Sequence, residues 1–166
     1  GVEGLWASVH VAGGFAFPPL AELTLADIEA QLRMNAATCL LCCREAAARM
    51  NGGGRIVNVT ARPALEGRQG AMLTAYAASK AGLHGFARAL KAEWAGRVAV
   101  QVIHPGPTRT DMHEKAGHDP GRMRAAFLPA GSVAAMMEGA IAARRSPVTV
   151  SFGRHLAGGA LWSARL

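Results

Sequence analysis

The sequence predicts an α/β fold, a doubly wound parallel sheet with helices on both faces. Short, unbroken apolar runs of strand length recur at Leu5–Ala12, Arg55–Thr60 and Arg97–Ile103, as they do in strands buried on both faces. Segments of helical character separate them, one after each strand, which implies crossover units in place of hairpins. Glycine is abundant at 20 residues and aromatics make up only 5%, a composition that suits close packing of helix on sheet. With 166 residues, 51% hydrophobic and 17% charged, the chain is long enough for one core and too apolar to be disordered.

The first run, Leu5–Ala12, stops at Gly13-Gly14. That stop is equally compatible with a glycine turn where backbone approaches a ligand and with a plain strand-to-loop turn. His10 reads as a strand residue with a satisfied ring, not as a metal ligand. Phe15 to Leu23, with Pro18-Pro19, is a loop. Thr24 is the expected N-cap of the next helix, and Asp27, three residues on, completes a capping box. Helix should run to about Met50 and end at Asn51-Gly52-Gly53-Gly54. Those glycines follow a helix instead of preceding one, so they read as a cap and turn, not a phosphate cradle. Cys39, Cys42 and Cys43 fall inside this helix beside Leu40 and Leu41. A redox Cys-x-x-Cys would open a helix after a strand, so these thiols read as small, buried apolar groups.

The strand Arg55–Thr60 leads into a long loop, Ala61–Leu73, and long ordered loops are often functional. Helix is expected from Thr74 to Trp94, and within it Tyr76 and Lys80 stand four residues apart, on one face. A cation near a phenol favours the phenolate and lowers its pKa. The pair is therefore a candidate proton-transfer centre for a hydroxyl or carbonyl group. After the strand Arg97–Ile103 comes the turn His104-Pro105-Gly106-Pro107-Thr108-Arg109-Thr110-Asp111-Met112. His113 and His118 lack metal-motif spacing and read as solvated loop residues. Lys115–Pro129 reads as a mobile segment, Ser132 as the cap of a helix to about Arg145, and Pro147–Gly153 as a last strand.

Tyr76-Ala77-Ala78-Ser79-Lys80-Ala81-Gly82-Leu83 resembles the active-site helix of the short-chain dehydrogenase/reductase family. Pro105-Gly106-Pro107, Thr110 and Met112 resemble that family's turn after its penultimate strand, and Ala12-Gly13 the end of its Asn-Asn-Ala-Gly strand, with both amides absent. The likeness spans Leu5 to Gly153, and the tail from Arg154 to Leu166 departs from it. It implies a Rossmann-like sheet and, as cofactor, NAD or NADP. Tyr76 and Lys80 would be catalytic, with Lys80 lowering the Tyr76 pKa and holding the nicotinamide ribose. Asn35, a poor helix-interior residue, matches the family's Asn that kinks this helix and orders a water linked to the lysine. Ala12, Gly13, Tyr76, Lys80, Pro105, Gly106, Thr108 and Thr110 would line the cofactor. Ala61 stands where the family places its serine; Thr60 is the adjacent hydroxyl and either replaces it toward substrate or faces the sheet. Val11–Phe15 and Ala61–Gly67 also resemble dihydropteridine reductases, which do without the serine.

No Gly-rich dinucleotide turn occurs, so the resemblance implies three more strand–helix units before Gly1, roughly 80–90 residues. On that reading these 166 residues alone are not expected to bind the dinucleotide usefully or to turn over. The expected partners are a small carbonyl or alcohol substrate and further copies of the parent chain, since the helices carrying Asn35 and Tyr76 form the dimer face in many family members. The alternative is a non-catalytic relative serving only subunit contacts. Net charge is +7, but basic residues are scattered, which suits cofactor phosphates better than nucleic acid. No apolar run approaches the length of a membrane-spanning helix. An odd cysteine count without a spaced framework suggests a reducing, cytoplasmic setting.

Overall fold

A computed structural model describes residues 4–94, 96–142 and 149–151. Four strands, β1 (Ala7–His10), β2 (Gly54–Val59), β3 (Val98–His104) and β4 (Thr149–Ser151), form one sheet in the order β1-β2-β3-β4. Every neighbouring pair is parallel, with His10 opposite Asn58 and Val59 opposite Ile103. The expected doubly wound parallel sheet is therefore present. The last expected strand is confirmed over its centre, and its flanks and the tail from Arg154 lie outside the described residues.

Period-two alternation in β2 and β3 sorts the core into two layers. Ile56, Val98, Val100 and Val102 pack with Cys39, Cys43 and Ala46 of α2 (Thr38–Ala48) and with Leu83, Ala87 and Leu90 of α3 (Thr74–Glu93). Val57 and Ile103 point the other way, onto Val133, Met136 and Ala140 of a helix at Ala130–Ala142. That helix begins two residues before Ser132, so Ser132 lies in its first turn and donates its N–H to Pro129 O instead of capping it. In α3 the buried positions Ser79, Lys80, Leu83, Ala87 and Leu90 follow the 3.6-residue period that lays one stripe against a sheet.

The first long helix is not uniform. α1 (Leu25–Gln31) opens with the expected box, in which Thr24 Oγ1 accepts from Asp27 N–H at 3.2 Å and Asp27 Oδ2 accepts from Thr24 N–H at 3.0 Å. Leu32–Ala37 is then a π-helical turn with Asn35 inside it, before α2 resumes the α-helix. Such single-turn π bulges occur often at functional sites. After α2, Gly52 (φ 86°) and Gly53 (φ 123°) make the left-handed turn into β2. None of the described helices is long and apolar enough to cross a membrane.

Candidate active site

The carboxyl ends of β1, β2 and β3 converge with the start of α3, the side on which open parallel sheets take ligands. Tyr76 lies in the first turn of α3, half-buried, with its ring centroid 5.7 Å from that of Phe15 in the loop after β1. One turn on, Lys80 is 5% exposed and donates from Nζ to Val59 O at the end of β2, 3.1 Å away. An ammonium has three donors, so two protons remain for a ligand beside that strand end.

Asn35 ties the loop after β1 to α3. Its Oδ1 accepts from Gly14 N–H at 3.1 Å, and its Nδ2 lies 3.0 Å from Gly14 O, 3.0 Å from Ser79 Oγ and 3.2 Å from Gln31 Oε1. Ser79 in turn donates to Tyr76 O at 2.8 Å. Gly13 sits against the same groups: a Cβ there would stand 2.6 Å from Asn35 Oδ1 and 3.0 Å from Lys80 Nζ. Glycine at this position is thus a matter of close approach of the turn to the Asn35 and Lys80 side chains. Ser79 and Gln31 were not singled out in the sequence. Their signal was available, since Ser79 stands three residues after Tyr76 and Gln31 four before Asn35, on shared helix faces.

Two expectations are corrected. The Tyr76 phenol is not lowered by Lys80. Burial pushes it up to about 12 and likewise lowers Lys80, whose ammonium donates to the Val59 carbonyl. Thr60 does not offer its hydroxyl to a ligand. It is 3% exposed, accepts from Ala61 N–H at 2.6 Å and lies 3.3 Å from Lys80 O. Thr60 therefore fastens β2 to α3, and Ala61, which stands in the serine's place, has no hydroxyl.

The remaining expected residues border the same end of the sheet. Ala12 is exposed, and Gly13, Pro105, Gly106 and Thr108 are half-buried. Thr108 Oγ1 bonds Gly106 O at 3.0 Å, and Thr110 Oγ1 lies 3.4 Å from Met112 N, so both hydroxyls shape the turn locally. His113 and His118 are half-buried, not solvated. His113 lies 5.1 Å from Phe15 and 4.8 Å from Phe127 by ring centroids, and His118 stacks on Phe17 at 4.1 Å. The loop after β1 and the segment after β3 thus meet in an aromatic cluster beside Tyr76. The cysteines are also only partly as expected. Cys39 and Cys43 are buried and Cys42 is exposed, but Cys43 Sγ makes polar contacts with Asn58 Oδ1 and His10 Nδ1. His10 is satisfied by Ser8 Oγ and Asn58 Oδ1, each at 2.9 Å.

A sequence model described as short chain dehydrogenase matches residues 1–121. D-threitol dehydrogenase of Mycolicibacterium smegmatis is 36% identical over 130 residues, which cover 76% of this chain and 49% of that protein. The mouse (Mus musculus) 3-oxoacyl-[acyl-carrier-protein] reductase is 42% identical over 96 residues, covering 55% of this chain and 40% of its own length. The chain spans about half the length, or less, of these curated relatives. A short chain dehydrogenase from Burkholderia cenocepacia J2315, solved in complex with NADP, superposes with a TM-score of 0.77 at 29% identity, covering 89% of this chain and 64% of that one.

Proposed function

The chain belongs to the short-chain dehydrogenase family, and on that premise we propose that residues 1–153 carry the proton-transfer centre of an NAD(P)-dependent oxidoreductase acting between a carbonyl and an alcohol. The observation that carries the reading is the linkage of Tyr76, Lys80, Asn35 and the Gly13-Gly14 turn at the carboxyl end of the sheet. The residues present fit the cofactor. Lys80 has two protons free of Val59 for ribose hydroxyls, and Ala12, Gly13, Pro105 and Gly106 leave backbone accessible at the strand ends. Thr108 and Thr110 belong to the same border. When bound, NAD(P) supplies or takes the hydride and adds the positive charge of its oxidised ring.

Tyr76 holds its proton through the physiological range, because burial raises its pKa. It is therefore a donor to a carbonyl oxygen that gains negative charge. An alkoxide is more basic than a phenolate, so transfer is favourable even from a phenol with a raised pKa. The positive charge that the oxidised ring would bring when bound is what can stabilise the phenolate left behind. Asn35 fixes the turn and, through Ser79, the first turn of α3, which keeps the phenol aimed at one point. With Thr60 turned inward and Ala61 lacking a hydroxyl, substrate orientation falls to the aromatic cluster around Phe15. That arrangement favours the serine-free mode of the dihydropteridine reductase likeness within the same chemistry.

Assembly as a homo-oligomer belongs to the same proposal. It is supported by the exposed apolar side chains Leu25, Ile28, Leu32, Leu40 and Leu41 along α1, the π-helical turn and α2. A cytoplasmic setting is supported by three cysteines that are all free. Tyr76→Phe tests the chemistry in the longest natural polypeptide that contains this chain. Expected is a fall in kcat of at least ~100-fold with NADPH or NADH affinity within a factor of about three. Near-normal kcat would remove Tyr76 from the mechanism.

A further inference from the structure

Cys39 and Cys43 lie one turn apart on α2, over the β1–β2 pair. His10 and Asn58 are register partners on those strands, so their side chains leave the same face of the sheet. His10 Nδ1 stands 3.5 Å from Cys43 Sγ, and Asn58 Oδ1 lies 2.9 Å from that nitrogen and 3.4 Å from that sulfur. One ligand atom each from His10, Cys39 and Cys43 falls within 4.8 Å of the others. The two thiols are 5% and 1% exposed, and the proton-transfer chemistry uses none of these groups.

We infer that His10, Cys39 and Cys43 form a binding site for a thiophilic metal ion, Zn(II) in the first instance, with Asn58 Oδ1 as the fourth donor. Tetrahedral zinc with Zn–S near 2.3 Å and Zn–N near 2.0–2.1 Å has an N···S edge of about 3.6 Å and an S···S edge of about 3.8 Å. The His10–Cys43 separation of 3.5 Å matches the first edge, and the 4.8 Å span accommodates the second. The 3.4 Å between Cys43 Sγ and Asn58 Oδ1 is close to the corresponding O···S edge of about 3.6 Å. Two thiolates cancel a dication, so the loaded centre is neutral, as a buried centre must be. Two sulfurs and an imidazole select zinc or Cu(I) over magnesium or calcium.

Two surrounding contacts agree. Ser8 Oγ at 2.9 Å from His10 Nε2 can accept that nitrogen's proton, so that on loading Nδ1 exchanges its 2.9 Å contact with Asn58 Oδ1 for the metal, the usual support for a ligating histidine. Asn58 turns its oxygen into the cluster although this leaves its Nδ2 buried without a partner. The ion would clip α2 to β1 just ahead of the Gly13-Gly14 turn, a structural role, since four protein donors close its coordination.

The test uses the purified protein, stripped with a chelator and reloaded with Zn(II) or Co(II). Expected are about one ion per chain, a Co(II) spectrum with thiolate charge-transfer and tetrahedral ligand-field bands, and a melting temperature that falls on chelation. His10→Asn and Cys43→Ser should each weaken zinc binding by more than ~100-fold, while Cys42→Ser leaves it unchanged. Retention of full zinc affinity by both His10→Asn and Cys43→Ser would overturn the assignment. So would cobalt binding without thiolate charge transfer in the unsubstituted protein, a measurement that stands even if a variant fails to fold. Neither result depends on turnover, so failure here is distinguishable from failure of the Tyr76 mechanism.

Discussion

Asn35→Ala removes the side chain that hydrogen-bonds the loop after β1 to the helix carrying Tyr76 and Lys80. Asn35 is fully buried, and its Nδ2 faces three acceptors with two protons, so three hydrogen bonds form at a time when that of Oδ1 is included. At a net ~0.5–1.5 kcal/mol each, they are together worth ~1.5–4.5 kcal/mol. The loss is not shared evenly. Ser79 keeps its bond to Tyr76 O at 2.8 Å, whereas the N–H and C=O of Gly14 both lose the partner that Asn35 gave them. The Gly14 turn is half-buried, so water relieves part of the deficit, and the expected loss is about 2–3 kcal/mol. For a protein of this size that lowers Tm by roughly 4–12 °C. Urea unfolding measures the total, and hydrogen exchange at the Gly14 amide locates it. Ser79→Ala should cost less than about 1 kcal/mol, since it removes only one partner of Asn35. A change below about 0.5 kcal/mol in Asn35→Ala, or unaltered exchange at Gly14, would refute the view that Asn35 organises the site.

The remaining expectations concern two other buried groups. His104, fully buried with Nδ1 at 3.2 Å from Ala61 O and its ring stacked 4.5 Å from that of His84, is lowered by burial from 6.5 to about 4. The folded chain keeps it neutral while the unfolded chain protonates it, so stability is full above about pH 6.5 and falls as pH drops toward 4, by up to ~3 kcal/mol. Equilibrium unfolding across that window should show the slope, and His104→Gln should flatten it; an identical slope in the variant would exclude His104 as the cause. Thr60→Val removes a hydroxyl that serves Ala61 N–H and Lys80 O. It should lower stability by ~1–2 kcal/mol with kcat within about threefold, and a loss of more than tenfold in kcat at unchanged stability would restore a substrate role to Thr60.

The sequence by itself determined what local chemistry dictates. Apolar runs of strand length alternating with helical stretches admit a parallel sheet covered on both faces. Thr24 with Asp27 fixes a helix start whatever surrounds it, because both partners of a capping box lie within four residues. Tyr76 and Lys80 share a face by helical geometry alone, and Asn35 stood out because asparagine is a poor helix-interior residue. The tertiary structure decided everything that depends on groups distant in the chain. How deeply Tyr76 is covered and which acceptor Lys80 takes depend on how α3 seats on β2, and it is burial that sets the direction of the Tyr76 pKa. Thr60 had two readings from sequence, and its register beside α3 selected the inward one. His113 and His118 looked solvated because their covering rings are not sequence neighbours: Phe127 folds back from the end of the same segment, and Phe15 and Phe17 arrive from the loop after β1. His10, Cys39, Cys43 and Asn58 carry no metal-motif spacing, because their proximity comes from strand register and helix packing, and no spacing along a chain encodes that.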